Sequence, residues 1–213
     1  MMVDEAVYLQ YLSGLLAGDR TRCMETVSLL LEKGTKPEHL YTVFQRALYS
    51  IGELWEQNRI SVAVEHLATA ITETLLAAVY PIILSGRSKI DKKVIVSCSV
   101  NEYHQVGARM VADIMESHGW DAWFLGANTP AEDLLLLIQE KKPDMLALSI
   151  SIYFNMASLG KLIQIVRSNY PGLSIIVGGQ AFRWGEADVI KPFGNVTYFP
   201  SLEKLIQEIR LKG

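Results

Sequence analysis

Two apolar runs are separated by Asn101-Glu102-Tyr103-His104-Gln105-Val106-Gly107, which brings a carboxylate, an imidazole and a glycine together where a strand gives way to a helix. A neutral imidazole is the commonest protein ligand for borderline transition metals, and Glu102 is placed to accept a hydrogen bond from its second ring nitrogen. Taken alone, His104 reads more readily as a cap on the helix that follows. Two further strand ends bear on the choice. Ser149-Ile150-Ser151 supplies small hydroxyls, and Gly178-Gly179 removes side chains where a large ligand could approach the backbone. No GxGxxG follows the first strand, so a nicotinamide or flavin cofactor is disfavoured. In the N-terminal half, Trp55 precedes Glu65-His66 near a helix junction. Each of these three has an ordinary reading: a core aromatic, a solvated acid, a satisfied histidine. An adjacent Glu-His pair in an otherwise apolar helix is nevertheless costly to bury without a polar partner.

The elements that must position these residues fall into two sets. From Glu5 to about Ser85, apolar residues recur at three- and four-residue spacing, and Gly18-Asp19, Gly34 to Pro37 and Gln57-Asn58-Arg59 punctuate them. Helices are expected near 5–17, 20–33, 37–56 and 61–84, a four-helix bundle in which Ser61 caps the last helix and Val64, Leu67, Ile71 and Leu75 face inward. After the polar segment Ser85 to Lys89 the pattern changes to short apolar runs: Val94–Cys98, Asp121–Leu125, Met145–Ser149, Ser174–Gly178 and Val196–Tyr198. Helical patterns at about 105–118, 130–141, 157–169, 181–190 and 201–211 alternate with them. The expected architecture is α + α/β: a bundle over residues 1–85, then a doubly wound, five-stranded parallel sheet of flavodoxin or Rossmann type over 90–213. Ligands of such sheets bind at the carboxyl ends of the strands, beside the switch point of the strand order.

Composition narrows the partners. Half of the 213 residues are apolar and the net charge is −3, with no basic stripe for a phosphate backbone, so direct nucleic-acid binding is not expected. Cys23 and Cys98 lie far apart without zinc spacing and fit a reducing cytoplasm. No basic leader precedes an apolar run and no uninterrupted apolar stretch reaches about 18 residues, so a soluble, cytoplasmic protein away from the membrane is expected.

The spacing carries a family resemblance. Glu102-x-His104-x-x-Gly107, Ser149 after 41 intervening residues, and Gly178-Gly179 after 26 beyond Ser151 resemble the D/E-x-H-x-x-G, S-x-L, G-G series of cobalamin-binding domains of the methionine synthase and mutase type. The resemblance implies that His104 replaces the cofactor's own base as lower ligand to cobalt, with Glu102 behind it. It further implies that Gly107, Ser149, Ser151, Gly178 and Gly179 line the slot for the nucleotide tail. Ser151 stands where that family usually has Leu. In the helical half, Trp55-x9-Glu65-His66 is similar to the adenosylcobalamin photoreceptors of the CarH class, which implies that Trp55, Val62, Glu65 and His66 cover the adenosyl group as a cap over the upper face. Glu56 departs from that class, where a histidine beside the tryptophan captures cobalt after photolysis.

What the resemblance implies is a light-sensing cobalamin module, not an enzyme acting alone. It would bind adenosylcobalamin base-off and His-on and change domain packing or oligomerisation on photolysis. This chain lacks the helix-turn-helix domain of the repressors, so the output would run through a homo-oligomer or a separate partner. A bilin such as biliverdin is a possible second chromophore beside Tyr153-Phe154, Phe182-Arg183-Trp184 or Tyr198-Phe199, which core packing explains equally well. The alternative is a corrinoid methyl carrier of a methyltransferase system, with methylcobalamin as its form, and a storage or chaperone role has no separate signature.

Overall fold

A computed structural model describes residues 5–85, 87–183 and 190–212. Contacts divide the chain into two units, Met1–Ser85 and Gly86–Gly213. In the first, α1 (Glu5–Ala17), α2 (Arg20–Glu32), α3 (Pro37–Glu56) and α4 (Val62–Ile83) each touch the other three, forming a four-helix bundle. The boundaries follow local chemistry. Asp19 accepts a hydrogen bond from the Arg22 amide at the start of α2, Pro37 opens α3, and Ser61 Oγ accepts from the Val64 amide at the start of α4. The centre is aromatic: Tyr11, Tyr41 and Phe44 are fully buried, with ring centroids 5.3 and 6.1 Å apart, and the Tyr11 hydroxyl reaches Thr72.

The inward stripe of α4 differs from the expected one. Ala68, Ile71, Thr72, Leu75, Leu76, Val79 and Ile83 are buried, whereas Leu67 is exposed and lies against the position where Gly18 has no side chain. At 100° per residue, Ala68 and Thr72 complete the face that contains Ile71 and Leu75, and Leu67 falls outside it. Helix α4 is also long and apolar enough to cross a membrane by length and composition, although polar residues interrupt it. One such helix is weak evidence of a membrane span, because a core helix passes the same test.

The second unit is an all-parallel sheet with helices on both faces. Its elements are β1 (Lys93–Cys98), α5 (Val106–Ser117), β2 (Asp121–Phe124), α6 (Ala131–Lys141), β3 (Met145–Ser149), α7 (Met156–Asn169), β4 (Ser174–Gly178), β5 (Val196–Tyr198) and α8 (Leu202–Lys212). The strand order is β2-β1-β3-β4-β5, so the order reverses between β1 and β3. Ile95, Leu146, Leu148, Ile175 and Val177 pack on α6 and α7; Val94, Val96, Cys98, Ala147 and Ile176 pack on α5 and α8. Both faces are covered, which is why these strands read as unbroken apolar runs.

Two differences from expectation lie after β3 and β4. A 3-10 turn, Tyr153–Asn155, precedes α7, and another, Gln180–Arg183, occupies the start of the helix expected over 181–190. Residues 184–189 of that expected helix, Trp184 included, lie outside the described residues.

Candidate functional site

His104 lies in the loop between β1 and α5, at the switch point. Its side chain does not cap α5: Gln105 holds the cap position, and the Gln105 carbonyl accepts from the Arg109 amide. The imidazole instead donates from Nδ1 to Glu102 Oε1 at 2.6 Å, and the His104 amide donates to the same oxygen at 2.9 Å. The second carboxylate oxygen, Oε2, accepts the Ser151 amide at 2.8 Å and the Ile152 amide at 3.0 Å, both from the loop after β3. Glu102 is completely buried. Burial by itself would push its carboxyl up, but the bonds from the His104 ring and amide and from the Ile152 and Ser151 amides outweigh it and hold the pKa at about 2.

An ionised carboxylate can only accept, so Nδ1 carries a proton, and in the neutral ring the lone pair is on Nε2. The imidazole is 42% exposed at the sheet edge. Among the described residues no cluster of three or more His, Cys, Asp or Glu could hold a metal ion. One imidazole is too few donors for a bare ion, but it suffices for a metal that brings its own equatorial nitrogens.

Strand register places the remaining sheet residues. Cys98, Ser149 and Gly178 are successive partners across β1, β3 and β4, and by alternation from Val96, Ala147 and Ile176 all three lie on the α5 and α8 face. Gly107, in the first turn of α5, comes to the same row: a Cβ there would lie 3.6 Å from Ser149 Oγ. The row of thiol, hydroxyl and two glycines has little bulk, and the Ser149 hydroxyl makes no hydrogen bond among the described residues.

The two adjacent glycines differ in cause. A Cβ on Gly178 would meet the Phe199 carbonyl at 3.1 Å. Gly179 has φ +120, and a Cβ there would overlap the Ile150 carbonyl. Its glycine is demanded by the chain's own backbone, independently of any ligand. Ser151 takes a part in the site through its amide, which donates to Glu102.

In the helical unit, Trp55 closes α3 while Val62, Glu65 and His66 open α4, so the four sit at one helix junction. Glu65 is largely covered, with Oε1 accepting from the Thr69 hydroxyl at 3.0 Å, and Oε2 lies 3.5 Å from His66 Nε2. The His66 ring is 72% exposed. The burial cost expected for the pair therefore falls on Glu65 alone, and Thr69 offsets it. Trp55 and Val62 are both solvent-exposed. Of the aromatic stretches, Phe182 and Tyr198 stack at 4.5 Å within the sheet core, whereas Tyr153 and Phe154 stand in solvent.

Sequence reasoning missed the asparagines that tie these loops together. The Asn101 amide donates to Asn128 Oδ1, the Asn128 amide to the Glu102 carbonyl, and Asn155 Nδ2 to the Asn101 carbonyl. Asn101 and Asn128 both have positive φ. The turn signal of Ala127-Asn128-Thr129-Pro130 was legible, but not the loop it reaches.

A parallel sheet that presents one carboxylate-backed imidazole at its switch point defines a Rossmann-like domain suited to a metal held in a macrocycle. Residues 92–199 match the family described as B12 binding domain, residues 8–80 match a second family of the same description, and the chain belongs to this B12-binding family. Similar proteins include the HTH-type transcriptional repressor CarH of Myxococcus xanthus, 28% identical over 141 residues, which are 66% of this chain and 46% of the repressor. The HTH-type transcriptional repressor CarA of Myxococcus xanthus is 31% identical over 91 residues, 43% of this chain and 31% of that repressor. The chain thus spans less than half the length of either relative. Among solved structures, the Methanosarcina barkeri monomethylamine corrinoid protein superposes with a TM-score of 0.84 at 12% identity, covering 98% of this chain and 100% of that one. A cobalamin-binding protein from Desulfitobacterium hafniense DCB-2 gives 0.51 at 15% identity, covering 96% and 97%. At these identities the structural likeness is one of fold.

Proposed function

We propose that this chain is a cobalamin-binding light sensor that takes up adenosylcobalamin base-off and His-on. The observation that carries the reading is the bond from His104 Nδ1 to the buried Glu102 carboxylate, in the loop between β1 and α5. In this reading Nε2 ligates cobalt, Glu102 keeps the proton on Nδ1, and the Ser149 hydroxyl, Gly107 and Gly178 meet the nucleotide tail. Bound adenosylcobalamin supplies a cobalt–carbon bond weak enough for visible light to break. Trp55, Val62, Glu65 and His66 contact the adenosyl group, and loss of those contacts alters the packing of the helical unit or its self-association. Similarity to the CarH and CarA repressors supports sensing over catalysis. Any bilin would meet the exposed Tyr153 and Phe154, since Phe182 and Tyr198 are spent on the core.

A second reading, a corrinoid methyl carrier, is favoured by the end-to-end fold likeness to the monomethylamine corrinoid protein. Reconstitution in the dark with adenosylcobalamin or methylcobalamin, then illumination, separates the two. Preference for the adenosyl form, with a light-driven spectral and oligomeric change, is expected. Preference for methylcobalamin with methyl transfer to a supplied thiol would establish the carrier instead. Replacement of His104 by Ala should abolish the His-on spectrum, and an unchanged spectrum would remove His104 as the ligand.

A further inference from the structure

The carboxylate of Glu102 can aim the imidazole only if the backbone carrying both residues is itself fixed. That backbone is unusual: Asn101 has φ +65, a region that a non-glycine residue occupies at a cost. One residue from a different strand's loop engages each of the three positions before His104. Asn128 Oδ1 accepts the Asn101 amide at 2.9 Å, the Asn128 amide donates to the Glu102 carbonyl at 3.0 Å, and Asn128 Nδ2 donates to the Tyr103 hydroxyl at 3.3 Å. Asn128 itself has φ +50, which asparagine tolerates better than most residues.

We infer that Asn128 is a positioning residue for the cobalt ligand, holding Asn101, Glu102 and Tyr103 so that His104 Nε2 is presented in one orientation. This rests on the cobalamin reading above. The loop after β2 thereby joins the loops after β1 and β3 in setting the ligand, and Asn128 acts on His104 through the backbone without touching the ring.

Asn128→Gly removes both side-chain bonds while permitting the positive φ, so it separates the contacts from the backbone conformation. Asn128→Asp keeps the acceptor for the Asn101 amide, and the Tyr103 hydroxyl can turn to donate to the new carboxylate. The probe is hydroxocobalamin, read by the fraction with a protein nitrogen on cobalt in the absorption spectrum and by the dissociation constant. In the ligand-free chain, amide exchange at Asn101 and His104 provides an independent measurement. Asn128→Gly should weaken binding by about 10- to 100-fold, lower the His-on fraction and speed exchange at both amides, as loss of a partner behind a metal ligand does elsewhere. Asn128→Asp should stay within about threefold of the unaltered chain, by the same comparison. A wild-type His-on fraction and affinity in Asn128→Gly overturns the inference, as does Asn128→Asp failing as badly as Asn128→Gly. If Asn128→Gly does not fold, Asn128→Ala takes its place, and a wild-type His-on fraction and affinity there overturns the inference. If the unaltered chain takes up no hydroxocobalamin, or His104→Ala keeps the His-on spectrum, the cobalamin reading fails and this inference falls with it.

Discussion

At the exits of β1 and β3, a buried carboxylate accepts four hydrogen bonds and holds one imidazole in a single tautomer. At the junction of α3 and α4, Trp55, Val62 and His66 stand in solvent, while Glu65 Oε1 accepts from the Thr69 hydroxyl and Oε2 lies 3.5 Å from His66 Nε2. The first region is organised before any ligand arrives, and its groups also contribute to the stability of the sheet unit. The second leaves its groups exposed in the ligand-free chain. Preorganisation lowers the ordering cost of binding, while exposed groups gain their energy only on contact.

This contrast can be broken most severely at Gly179. Gly179→Ala should destabilise the ligand-free chain by about 3 kcal/mol or more, because positive φ and a clash with the Ile150 backbone add. Urea unfolding measures it, and a loss under about 1 kcal/mol would show that the turn after β4 yields easily. Glu102→Gln comes next. Its amide must set an N–H against either the imidazole donor or the Ser151 and Ile152 amides, so a cost of about 1–3 kcal/mol is expected, with cobalamin binding weakened about 10- to 100-fold. If it matched the unaltered chain in both respects, the strand-end site would not be preorganised by charge.

Acid offers a graded version of the same test. The folded pKa of Glu102 lies near 2, below the ordinary glutamate value of 4.5, so its contribution to stability is complete above about 4.5 and declines as pH falls from there towards 2. Between those limits the difference in stability between the unaltered chain and Glu102→Gln should shrink, as followed by denaturation at stepped pH. The smallest effect is expected at the other region: Trp55→Ala and His66→Ala should each move ligand-free stability by roughly 0.5 kcal/mol or less. The same variants should lose the preference for adenosylcobalamin over hydroxocobalamin in equilibrium titration. A large loss of stability in either would erase the distinction between the two regions.

What could be read from residues alone divides along the range of the interactions. The continuous apolar runs of β1, β3 and β4 and the carboxylate two positions before His104 are local, and each appears in the structure where the sequence placed it. The inward face of α4 was misjudged by one residue because Leu67 is as apolar as Leu75, and only helical phase separates them. Gly179 and Asn128 were opaque for a different reason: their partners, Ile150 and Asn101, lie 29 and 27 positions away. No local pattern states which carbonyl or amide a distant loop will meet.

Glu102 bridges two strand exits with one rigid group. Because Oε1 is engaged by His104 and Oε2 by the amides of Ser151 and Ile152, the carboxylate behaves as a short crossbar. A pull on the imidazole is therefore carried to the threshold of the turn 153–155, which bears the exposed Tyr153 and Phe154.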